Sequence, residues 1–132
     1  MKINNSLEVL PINFRHEKKF LHNNNLDSWE TLKKIKDTEI NEYLQKDSLC
    51  TESRFKKIRA IANFVTELKI TPNQAYLLLH SGIGSIKALS ELNPHTLSHK
   101  IGRLERSLNI KTNSKINQIM LKDWILKAKN LL

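Results

Sequence analysis

Four sets of residues in this sequence have types and spacings that chemistry uses. His95 and His99 stand four apart, which puts two imidazoles on one helix face as metal ligands require. No cysteine or carboxylate occupies a matching position, so no metal is expected. Cys50 is the single cysteine and has no histidine in a zinc spacing; it can close no internal disulfide, and the compartment expected is reducing and cytoplasmic. Gly82-Ile83-Gly84 sets two glycines around an apolar residue, a turn whose backbone is free to adopt conformations closed to other residues. Two runs of cations, Arg54, Lys56, Lys57 and Arg59, then Lys100, Arg103 and Arg106, carry the charge that phosphates attract. The sequence has no Ser/His/Asp order, no glycine-rich loop ending in Lys-Ser/Thr, and no carboxylate pair in an apolar setting. The expectation is a non-catalytic binding protein with no cofactor and no small-molecule substrate.

The charge is unevenly placed. The 132 residues carry a net charge of +9, but residues 1–48 hold eight Lys/Arg against eight Asp/Glu, and residues 49–132 hold fourteen against five. A solubility device would be spread evenly, whereas an excess confined to one part points to a surface that meets something acidic, nucleic acid above all. Lys100, Arg103 and Arg106 form one ridge at 100° per residue, facing away from Leu97, Ile101, Leu104 and Leu108. No apolar run approaches membrane-spanning length, and Met1-Lys2-Ile3-Asn4-Asn5-Ser6 leads into polar sequence without a signal-peptide core.

These cations must be positioned by helices. Three glycines, three prolines and apolar steps of three and four predict an all-α fold. After an arm at 1–9, a single domain over 10–132 is expected to comprise unit one (10–48), a connecting helix (52–68), unit two (69–109) and a closing helix (114–130), with a polar linker at 109–114. Asn13 is expected to cap the first helix, Thr51 or Ser53 the connecting helix, Thr71 with Pro72 the next, and Asn93 with Pro94 the one after. The closing helix should turn Ile116, Ile119, Met120, Trp124, Ala128 and Leu131 inward.

The two units repeat. Leu10 and Ile12 recur as Leu68 and Ile70, and Leu21-His22 as Leu79-His80, at an offset of 58; Ser28 and Leu32 recur as Ser85 and Leu89 at 57. One residue is thus missing from unit two, and the Asn23-Asn24-Asn25 turn facing Ser81-Gly82 is the expected place. In this register His22 and His80 are equivalent helix ends, where an imidazole can cap the last carbonyls. Gly82 falls opposite the Asn25 break and should be a left-handed cap, with Ile83 packing back on the core.

The order Ile70-Thr71-Pro72-x-x-Ala75-x-x-Leu78-x-x-x-Gly82-Ile83-x-Ser85-Ile86-x-x-Leu89, then Asn93-Pro94-x-x-Leu97, then Asp123-Trp124-Ile125-x-x-Ala128-Lys129 resembles a domain family of unknown function built on helix-hairpin-helix units. Uncharacterised cyanobacterial members are similar in carrying two units and a closing Trp-containing helix, and the resemblance covers residues 8–132. The Gly-Ile-x-Ser-Ile-x-x-Leu segment is also similar to the C-terminal domain of the RNA polymerase alpha subunit. The resemblance implies binding of DNA or RNA backbone without sequence readout, through a Gly-hydrophobic-Gly hairpin. The triplets corresponding to that hairpin, Pro11-Ile12-Asn13 and Lys69-Ile70-Thr71, keep the apolar centre and lack both glycines, and Pro11 has no amide to donate.

The basic second part of the chain, residues 49–132, is therefore the expected binding region, with Arg54, Lys57, Lys69, Thr71, Lys87, Lys100, Arg103 and Arg106 as candidate backbone contacts and Lys111 and Lys115 beside them. The other class weighed is a protein-interaction module or accessory subunit whose units have lost phosphate binding and supply packing surfaces. The neutral first unit and the missing glycines favour it. Trp29 and Trp124 stand at apolar helical positions and are read as core.

Overall fold

Cap chemistry sets most helix boundaries here. The computed structural model describes residues 10, 12–108 and 118–132, apart from the side chains of Ile12 and residues 104–108. The expected arm at 1–9, the linker at 109–114, the start of the closing helix and the inward positions Leu104, Leu108 and Ile116 lie outside that description. Among the described residues there are eight α-helices and no strand: α1 (Arg15–Asn23), α2 (Trp29–Lys33), α3 (Asp37–Lys46), α4 (Glu52–Leu68), α5 (Pro72–His80), α6 (Ile86–Ser90), α7 (Pro94–Leu108) and α8 (Gln118–Leu131).

Three of the expected caps form as hydrogen bonds. Thr71 Oγ1 accepts from the Gln74 amide at 3.2 Å while Gln74 Oε1 accepts from the Thr71 amide at 3.0 Å, a complete capping box with Pro72 at the first helical position. Asn93 Oδ1 accepts from the Thr96 amide at 2.8 Å. Thr51 Oγ1 takes the Arg54 amide at 3.2 Å, but the residue that should return the bond is an arginine. Glu17 of α1 supplies the missing half from a distance in sequence: its Oε2 accepts from the Thr51 amide at 2.8 Å. The start of α4 is thus capped by a side chain 34 residues away, and that side chain is 0% exposed.

Asn13 does not cap α1. A 3-10 turn over Ile12–Phe14 precedes the helix, and Phe14 occupies the cap position with no side-chain bond. Phe14 is wholly buried and stacks edge-on against Tyr76 at 6.3 Å, so tertiary packing fixes this start.

The register of the repeat differs from the expected one. Arg15–Asn23 and Pro72–His80 are both nine residues, Trp29–Lys33 and Ile86–Ser90 both five, and each pair is separated by 57 positions. The chain ends α1 and α5 identically. Leu26 N–H bonds to Leu21 C=O at 2.8 Å and Asn25 N–H to His22 C=O at 3.2 Å; Ile83 N–H bonds to Leu78 C=O at 3.0 Å and Gly82 N–H to Leu79 C=O at 3.1 Å. Both are Schellman closures around a left-handed residue, Asn25 at φ 57° and Gly82 at φ 95°. The one-residue difference therefore lies upstream of α1 and α5, not in this turn. Leu78 replaces Leu79 as the counterpart of Leu21, and His80 aligns with Asn23 instead of His22.

A second parallel has no clear sequence signature. The helix α2 packs chiefly on α4, and α6 chiefly on α8. The buried stripe Ile58, Ile61, Ala62 and Val65 on α4 has the spacing of Leu121, Trp124, Ile125 and Ala128 on α8. Thus α4 closes unit one as α8 closes unit two, while α4 also packs on α5 and joins the halves. This stripe corrects the expected inner face of α8: Leu121 and Ile125 are buried, whereas Ile119 is 81% and Leu131 45% exposed. Trp29 and Trp124 are both core residues.

Candidate nucleic-acid interface

The candidate contacts fall into three groups. Arg54 and Lys57, both half-buried, lie on the first half of α4. Lys57 lines a groove of about 670 Å³ together with Ser53, Lys56, Leu79 and Gly84, so α4 and the α5–α6 turn form its two walls. Lys87, exposed on α6, follows Gly84 by three residues. Lys69 and Thr71 lie beyond the other end of α4, about 18 Å from Lys57 at the helical rise of 1.5 Å per residue. They line a separate cleft of about 430 Å³ with Ser28, Trp29 and Glu30 of unit one. Lys100 and Arg103 are exposed on α7, which packs on α5 and α8. The side chain of Arg106, and Lys111 and Lys115, lie outside the described residues.

Backbone conformation decides what two of these residues can offer. Lys69 ends α4 in the left-handed region at φ 59° and exposes its ammonium. The Thr71 hydroxyl oxygen is engaged with the Gln74 amide, leaving only its proton to donate elsewhere. In the Gly82-Ile83-Gly84 turn the Gly82 and Ile83 amides are spent on the Schellman closure, so they are not free for phosphate. A methyl group added at Gly82 or Gly84 would meet nothing within 4 Å, so the turn's outer side is open.

Ion pairing separates the cations further. In the first basic run, Lys56 pairs with Glu52 at 2.7 Å, and Arg59 binds Asp37 at 2.7 Å and the Ile35 carbonyl at 3.0 Å. The Arg59 hydrogen bond and charge hold the Asp37 carboxyl below its ordinary range. Lys33 of unit one reaches both Glu30 and Glu67, each at 3.1 Å. Structural pairing therefore takes Arg59 and one of the few acids of the second half, Glu67, across to unit one. Among the described residues no carboxylate pairs with Lys57, Lys69, Lys87, Lys100, Arg103, Lys122 or Lys129.

Sequence reasoning misses His80 as a neighbour of this groove, because identity with His22 makes it a helix cap. His80 stacks on Tyr76 with ring centroids 4.1 Å apart, and its Nε2 is buried without a hydrogen-bond partner. Burial, and then the Lys57 charge, hold its imidazole below the ordinary histidine range. His95 and His99 are exposed on α7, and among the described residues no group of three or more His, Cys, Asp or Glu could hold a metal ion. Cys50 is buried, and burial first, then the Asp47 and Glu17 charges, push its thiol up to about 12, which disfavours the thiolate. No described helix is long and apolar enough to cross a membrane.

No curated protein and no solved structure matches this chain. A family model does, over residues 11–131, a span that includes both units, the groove and α8. The chain accordingly belongs to the family described as the domain of unknown function DUF4332.

Proposed function

We propose that this protein binds the sugar-phosphate backbone of nucleic acid, without sequence readout, through the basic surface of its second half. The observation that carries this reading is the net positive charge of that half, where Lys57, Lys87, Lys100 and Arg103 are exposed or half-exposed and pair with no carboxylate among the described residues, against a first unit whose cations and acids balance. The helix-hairpin-helix resemblance supports the same partner but not the same cradle. With the Gly82 and Ile83 amides closing α5, phosphates are held by lysine and arginine point charges, and the open turn beside Lys57 gives them room.

Point-charge binding depends steeply on salt. Titration of single- and double-stranded DNA and RNA at increasing salt should show affinity falling with a log–log slope of about −0.9 for each phosphate neutralised on duplex DNA. A Lys57→Glu/Lys87→Glu variant and a Lys100→Glu/Arg103→Glu variant should each weaken all sequences alike and flatten that slope. Absence of binding at low salt would refute the reading.

A further inference from the structure

The face of α8 opposite its buried stripe exposes two large apolar side chains that the nucleic-acid reading leaves unused. At 100° per residue Leu121, Trp124, Ile125 and Ala128 point one way, and Ile119 and Leu126 lie on the opposite pole, two turns apart. Ile119 is 81% and Leu126 56% exposed, so neither is a core residue seen from its edge. Lys122 and Lys129, also two turns apart, run along one flank of that pole with no ion pair among the described residues. On the other flank Lys127 is tied to Asp123 at 3.2 Å.

We infer that this outer face of α8 is a docking surface for an acidic amphipathic helix of a partner protein. Two apolar side chains at i and i+7 match the apolar stripe of a facing helix, and two lysines in the same repeat, unpaired among the described residues, match carboxylates on its flank. Phosphodiesters would gain nothing from covering Ile119 and Leu126. A bilayer is a poor occupant, because Asp123 and Asn130 share the apolar pole and would be drawn into hydrocarbon. A second copy docking face to face would set Lys122 and Lys129 against their own equivalents. Charge complementarity thus selects an acidic helix from another chain.

The test uses the full chain and a synthetic helical peptide with leucines two turns apart and glutamates on their flank. Saturable binding is expected, with Leu126→Asp weakening it at least tenfold and Lys122→Glu/Lys129→Glu abolishing it. A peptide with lysines in place of the glutamates should restore binding to that double variant. The Lys57→Glu/Lys87→Glu variant should bind the acidic peptide as the parent does, which separates this surface from the nucleic-acid one. Chain folding is checked for every variant by circular dichroism. No saturable peptide binding, binding indifferent to Leu126→Asp, uptake onto anionic vesicles that Leu126→Asp prevents, or self-association abolished by the same substitution would each overturn the inference.

Discussion

Unit one and unit two share a helical frame but stabilise it by different means. Both end their first helix with the same pair of backbone bonds, yet unit one uses Asn25 where unit two uses Gly82. The helix α5 is capped within itself by Thr71 and Gln74, whereas α4 needs Glu17 from α1. Unit one also binds its neighbour through Arg59–Asp37 and Lys33–Glu67. Long-range polar bonds therefore concentrate in unit one, and net positive charge concentrates in the rest. One copy holds the domain together through these bonds, and on the proposed reading the other's surface is the one that meets the partner.

The largest effect expected from breaking this asymmetry is at Glu17. Glu17→Ala removes the acceptor for the Thr51 amide and leaves a void in a fully buried position, so a loss of about 2 kcal/mol or more in unfolding free energy is expected from denaturant titration. Gln74→Ala in the local box should cost about 1 kcal/mol. If the two cost the same, the distant cap is no more than a substitute for the local one and the division of labour fails.

The two left-handed turns give the next largest contrast. Gly82→Ala meets no atom within 4 Å, so any cost is backbone conformation alone, about 1 kcal/mol. Asn25→Gly at φ 57° should change stability by only a few tenths of a kcal/mol, because asparagine already tolerates that conformation. An unchanged melting temperature for Gly82→Ala would mean that the turn relaxes and that the shared closure is not what holds both units in register.

Local chemistry is legible in the sequence and tertiary chemistry is not. The caps at Thr51, Thr71 and Asn93 follow from residue types within one turn, as do the Gly82 cap and the stripe on α4. The role of Glu17 depends on where α1 lands relative to α4, and Phe14 starts α1 by packing on Tyr76, so neither has a local signature. The repeat misleads at Leu21-His22 because identity with Leu79-His80 outweighs the length rule that equal helices impose. The inner face of α8 is misjudged because isoleucine and leucine occur on both of its faces. Of the candidate site, the cations are legible as a set, but their division among a groove, a cleft and α7, and the pairing of Arg59, require the fold.

The finest test of the comparison lies beside the groove, at His80. Its folded pKa is below the ordinary 6.5, chiefly through burial and then through Lys57. The unfolded chain therefore binds the proton more readily, so the stability from neutral His80 is present above about pH 6.5 and is lost as pH falls toward the folded pKa. His80→Gln should flatten that part of the stability profile below about pH 6.5, when read by denaturant titration. A phosphate seated beside Lys57 would offset the lysine's field and raise the His80 pKa, so nucleic-acid binding should take up protons and tighten as pH falls across this range. An NMR titration of His80 that is identical with and without saturating nucleic acid would move the phosphate path away from the groove, toward the exposed cations of α7.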